Sequence, residues 1–153
     1  MLVCQSATSD ELIGSHGSWD FGVFVASSSE LMPRTERRRV RVLVEPGGTE
    51  LAVAEVADTT LARLVGLLGH ASLEPGEGMV IEPCSSIHTC FMRFPIDVLF
   101  VDRDGLVVRA VRAIEPFRAA LGGPDARRAI ELPAGTLARM SVESGVRVRL
   151  VPP

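Results

Sequence analysis

The sequence predicts a mainly β domain, a sandwich or small barrel with one or two short helices. Short runs of alternating apolar and polar residues recur from Arg38 onward, and glycine- and proline-rich turns separate them. One stretch alone carries a clear helical period. The 153 residues are a length for one domain, or one domain with a tail, and 46% hydrophobic with 23% charged residues are ordinary globular values. That composition excludes a disordered chain, a coiled coil and a collagen-like repeat. No apolar run approaches the ~20 residues of a membrane span.

The elements follow in order. Arg39 to Val44 alternates, Pro46-Gly47-Gly48 turns the chain, and Leu51 to Val56 returns, which is a hairpin signal. Asp58 then stands as an N-cap before a helix over 59–68, where Leu61, Leu64, Val65 and Leu68 share one face and Gly69 closes the last turn. Further strands are expected at Met79–Glu82, Ser86–Met92, Ile96–Asp102, Leu106–Ile114 and Arg127–Leu132. Arg103-Asp104-Gly105 is a tight turn of the Asp-Gly kind. A short helix is expected at Gly135–Met140. The last strand, Gly145–Val151, repeats the Arg/Val alternation of the first, so the two suit an outer layer with one apolar and one guanidinium face.

Residues 1–37 form a poorly patterned tail before a domain over 38–153. The first 31 residues hold no Arg but four acids, Asp10, Glu11, Asp20 and Glu30, and Met32 would serve as an alternative start. Without them the charge is 16 Arg against 15 acids, a net of +1, and the whole chain carries −3, so no overall basic field invites nucleic acid. The cluster Arg37, Arg38, Arg39 and Arg41 lacks interleaved aromatics and reads as a solvated strand edge. Three cysteines and no basic, apolar leader predict a cytoplasmic protein with reduced thiols.

The informative stretch runs from Cys84 to Asp102 and contains His88-Thr89-Cys90-Phe91-Met92-Arg93-Phe94-Pro95-Ile96-Asp97. With Arg63-Leu64-Val65-Gly66-Leu67-Leu68-Gly69 upstream, Gly78-Met79 between and Glu131-Leu132-Pro133-Ala134-Gly135 downstream, it resembles the domain of unknown function 192 family. That family's pattern runs Arg-x-x-Gly-Leu-Met, then Gly-Met, then Met-x-x-x-Pro-x-Asp-x-x-Phe-x-Asp-x-x-Gly, then Glu-Leu-x-x-Gly. Leu68 stands where Met is usual, and Cys90-Phe91 stands where an aromatic, often Trp, precedes Met92. The resemblance spans 50–151 and implies a jelly-roll-like fold but no established reaction.

The residues must then be read on their chemistry. Apolar neighbours on both sides predict burial of Asp97, where a carboxylate needs partners. Arg93 or Arg63 would supply an ion pair; otherwise Asp97 is a structural acid bonding backbone N–H groups. On an extended strand His88, Cys90 and Met92 share one face, a soft set suited to Cu(I) with Cys84 as a fourth member, although Cys and Met also fill cores. Glu131 reads as a salt-bridge or helix-entry acid, and Arg63 as a solvated helix charge or a pocket or ion-pair residue. The expected function is a non-catalytic binding or accessory module for a small ligand or protein. Its small polar site lies around His88, Arg93 and Asp97, with Arg63, Met92 and Glu131 as further candidates. No cofactor, metal, nucleic acid or membrane enters that reading. The alternatives are a hydrolase-like enzyme using Asp97 and His88, and a Cu(I) protein using His88, Cys90 and Met92.

Overall fold

The computed structural model describes residues 38–59, 67 and 71–153. The tail over 1–37, most of the expected helix over 59–68, and Arg63 with it lie outside the described residues. Among the described residues nine strands and one short helix follow in chain order: β1 (Arg39–Glu45), β2 (Thr49–Ala57), β3 (Glu77–Ile81), β4 (Ser86–His88), β5 (Ile96–Val101), β6 (Val107–Ile114), β7 (Ala119–Leu121), β8 (Arg128–Pro133), α1 (Thr136–Arg139) and β9 (Arg147–Val151).

Seven strands form one mixed sheet in the order β6-β5-β8-β3-β2-β1-β9, and β4 and β7 form a separate two-stranded ribbon. Only β2 and β3 run parallel among these pairings. The large sheet curls until its edges touch at one end. There Leu106 bridges Arg147, the Val107 N–H donates to the Val146 carbonyl at 2.8 Å, and the Val148 N–H donates to the Gly105 carbonyl at 2.7 Å. Gly105 is required at that contact: its φ is 86°, and a Cβ there would run into the Val148 carbonyl. The sheet does not close into a barrel, so the sandwich-like form of the expected mainly β fold is the one observed.

Strand alternation sorts the core into two layers, one on each face of the large sheet. Leu99 and Val101 of β5, Ile130 and Leu132 of β8, and Val80 of β3 belong to the first layer, with Leu137 of α1. Ile96, Val98 and Phe100 of β5, Ala129 of β8, and Met79 and Ile81 of β3 belong to the second, with Ile87 and Ala120 of the ribbon. β5 is therefore buried at every residue, which is why its sequence is a nearly continuous apolar run. At the other edge, β1 and β9 pair antiparallel and keep the expected division: Val40, Val42 and Val148 face the core, while Arg39, Arg41, Arg147 and Arg149 are exposed.

Two local differences matter for function. The strand expected over Ser86–Met92 stops at His88, because the Met92 N–H donates back to the Thr89 carbonyl at 3.2 Å and Cys90-Phe91 makes a turn. β7 follows Arg118 and pairs His88 with Ala119, although Ala119-Ala120-Leu121 carries no strand pattern.

Candidate functional site

Asp97 sits near the start of β5, opposite Leu132 of β8, and is fully buried. Alternation places it on the same face as Leu99 and Val101. Its Oδ1 accepts the Ala113 N–H at 2.8 Å and its Oδ2 accepts the Leu137 N–H at 2.9 Å. The second bond satisfies a donor at the start of α1, where the N-cap residue is Gly135 and offers no side-chain acceptor. The first fixes Ala113, whose φ of 46° marks the irregular end of β6. Hydrogen bonds from N–H groups to a carboxylate are each worth about 1.5–3 kcal/mol. Among the described residues no ion pair involves Asp97, and Arg93 is exposed. Of the two expectations for Asp97, the acid that bonds backbone N–H groups is the one observed; Arg93 is not its partner, and Arg63 lies outside the described residues.

The two segments next to this clamp are tied by Thr89, which is fully buried. Its hydroxyl donates to the Glu115 carbonyl at 2.7 Å and accepts the Arg118 N–H at 2.9 Å. Its own N–H donates to the Arg118 carbonyl at 2.8 Å, and its carbonyl accepts the Phe117 N–H at 3.0 Å. One side chain and its peptide group thereby lace the turn after β4 to the loop after β6.

That lacing presents two phenyl rings to solvent. Phe91 is 77% exposed and Phe117 61%, and the rings meet edge to face with centroids 5.8 Å apart. Both residues have left-handed backbone, φ 66° at Phe91 and 59° at Phe117, a conformation costing an L-residue roughly 1–2 kcal/mol. The exposed guanidinium-bearing residues Arg93 and Arg118 flank them in sequence. The result is a strained aromatic and basic tip held from behind by buried polar groups.

The remaining candidates divide between environments. His88 ends β4, half-buried, and its Nδ1 is buried with no hydrogen-bond partner among the described residues. Met92 packs in the second core layer. Glu131 is buried opposite Val98 and Met79, on the face that those residues share, so it and Asp97 lie on opposite faces of neighbouring strands. Because the strand ends at His88, the alternation that would align His88, Cys90 and Met92 is lost. Among the described residues no three His, Cys, Asp or Glu side chains gather as metal ligands. The Cys84 thiol donates to the Ser86 carbonyl at 3.1 Å and is not bridged to Cys90. Sequence reasoning missed Thr89 and Phe117: a lone Thr and a Pro-Phe-Arg step carry no signal of their own.

The fold is shared with known proteins. A model of the DUF192 family, described as an uncharacterized ACR, matches residues 42–150. The chain belongs to the DUF192 family. No curated protein matches this DUF192 chain. Among solved structures similar to it is a "putative transcription regulator" from Sinorhizobium meliloti 1021, at 23% identity and a TM-score of 0.65, covering 74% of this chain and 93% of that one. A protein of unknown function from Novosphingobium aromaticivorans DSM 12444 is similar at 22% identity and a TM-score of 0.67, covering 77% of this chain and 89% of the other. At these identities the likeness extends to the fold of the DUF192 domain. No helix among its described residues is long and apolar enough to cross a membrane.

Proposed function

We propose that this DUF192 domain is a non-catalytic binding module that grips a protein partner with the tip formed by Phe91, Phe117, Arg93 and Arg118. The observation that carries the reading is the pair of exposed phenyl rings held in left-handed backbone. Strain of this kind persists only where the surroundings enforce it, and here the Thr89 bonds to the Phe117 N–H, the Glu115 carbonyl and the Arg118 N–H hold the loop while both rings stay exposed. Aromatic and arginine side chains are the groups enriched at protein interfaces and at their energetic centres. His88, beside Thr89, lies at the base of the tip. Asp97 acts as a positioning residue: with both oxygens engaged by backbone N–H groups and no exposure, it supports a holding role rather than hydrolysis.

The test compares wild type with the Phe91→Ser/Phe117→Ser variant in affinity capture from cell extract, followed by titration of each purified captured protein. The proposal expects at least one partner to lose about ten-fold or more in affinity, which is about 1.4 kcal/mol, while the variant melts within about 4 °C of wild type. Equal affinity of every captured protein for both forms would overturn it.

A further inference from the structure

At the end of β5 away from the tip the curled sheet opens into a cavity of about 490 Å³. That size falls in the range of small-molecule sites, roughly 300–1,000 Å³. Its inner wall is apolar, made by Val56, Val80, Val101, Ile130, Val148 and Leu150. Its rim carries five arginines, Arg38, Arg39, Arg103, Arg128 and Arg149, and two acids, Glu82 and Asp104, with Pro152 and Pro153 lining the same opening.

Three of those arginines already have counter-charges. Arg128 Nε lies 2.8 Å from a Glu82 carboxylate oxygen, Arg149 Nε lies 3.1 Å from Glu45, and Arg39 lies 3.6 Å from Glu55. Arg38 and Arg103 make no ion pair among the described residues. They stand on different elements, Arg38 before β1 and Arg103 in the turn after β5, and both contribute to the lining of one opening. A planar guanidinium offers paired donors that match a carboxylate, and its field is strengthened beside a low-dielectric wall.

We infer that this cavity is a second binding site, independent of the tip, for a small amphipathic carboxylate: an aliphatic body against the valine wall and one anionic group between Arg38 and Arg103. A neutral molecule of the same body would leave the guanidinium groups without an anion. A bare anion would leave the apolar wall in water. The site therefore discriminates on both halves of the ligand.

The probe is octanoate, titrated calorimetrically into the full-length protein beside octan-1-ol and inorganic phosphate, with amide and methyl NMR shifts recorded in parallel. Octanoate is expected to bind saturably and shift Val101 and Val148, with octanol and phosphate each weaker by about ten-fold or more. The exposed pair Arg38→Ala/Arg103→Ala is expected to weaken octanoate by about ten-fold without changing the fold, whereas Phe91→Ser/Phe117→Ser leaves it unchanged. Absence of saturable octanoate binding, equal binding of octanol, or shifts confined to residues around Phe91 and Phe117 would each overturn the inference. Because the tip variant reads on the other face, either proposal can fail while the other stands.

Discussion

Between Phe91 and Asp97 the chain passes from a phenyl ring 77% exposed, in left-handed backbone, to a carboxylate that is 0% exposed on a regular strand. The two regions reverse the usual placement of apolar and charged groups. In the core, near the start of β5, a charged side chain is inside, yet each of its oxygens meets a backbone donor. At the tip two large apolar side chains are outside, yet their backbones are held in a costly conformation by Thr89. The core holds polar groups for stability; the tip holds apolar groups at a cost to stability. That difference is what a scaffold and the surface it presents should show.

The largest effect that can break this comparison is in the core. Asp97→Asn keeps the shape but turns an NH2 group toward one of two buried N–H donors, so unfolding free energy should fall by about 3 kcal/mol in urea titration. A loss under about 0.5 kcal/mol would place Asp97 among ordinary surface residues. Thr89→Val comes next. It removes the hydroxyl that serves Glu115 and Arg118, and the expected cost is about 2 kcal/mol, with faster amide exchange at Arg118. Retained protection of that amide would mean that the hydroxyl does not hold the loop. The smallest effect belongs to a surface pair. Arg112 and Glu143 meet at 3.0 Å while both are substantially exposed, so Arg112→Ala should cost under about 0.5 kcal/mol in the same titration. A larger loss would show that the end of β6 is held from outside as well as by Asp97.

The two regions also differ in how far the sequence revealed them. The strands were legible wherever one rule applied along their length: alternation in β1 and β9, continuous apolar burial in β5, and the turn at Pro46-Gly47-Gly48. The burial of Asp97 was legible from its neighbours for the same reason. That backbone N–H groups would serve it was open to sequence reasoning, but which ones was not, because the donors belong to Ala113 and Leu137, 16 and 40 positions away, and any residue type supplies such a donor. The tip was illegible for a related reason. Alternation extended β4 through Met92, whereas a positive φ at Phe91 breaks it, and nothing in a phenylalanine announces a left-handed backbone. Phe117 lies beyond the long β5–β6 hairpin, so its meeting with Phe91 depends on Thr89, whose role is invisible until the loop is placed.

The most direct test of the tip's assignment is equilibrium urea unfolding of the Phe91→Gly/Phe117→Gly double variant. Glycine removes a left-handed penalty of roughly 1–2 kcal/mol at each position. Against this stand about 0.5–1 kcal/mol per glycine of extra unfolded-state freedom and about 0.5–1.5 kcal/mol for the lost ring pair. If the rings are presented for contact rather than packed for stability, the variant should be as stable as wild type, or more stable by up to about 1 kcal/mol. A fall of about 2 kcal/mol or more would contradict that, since it would make Phe91 and Phe117 structural members of the fold.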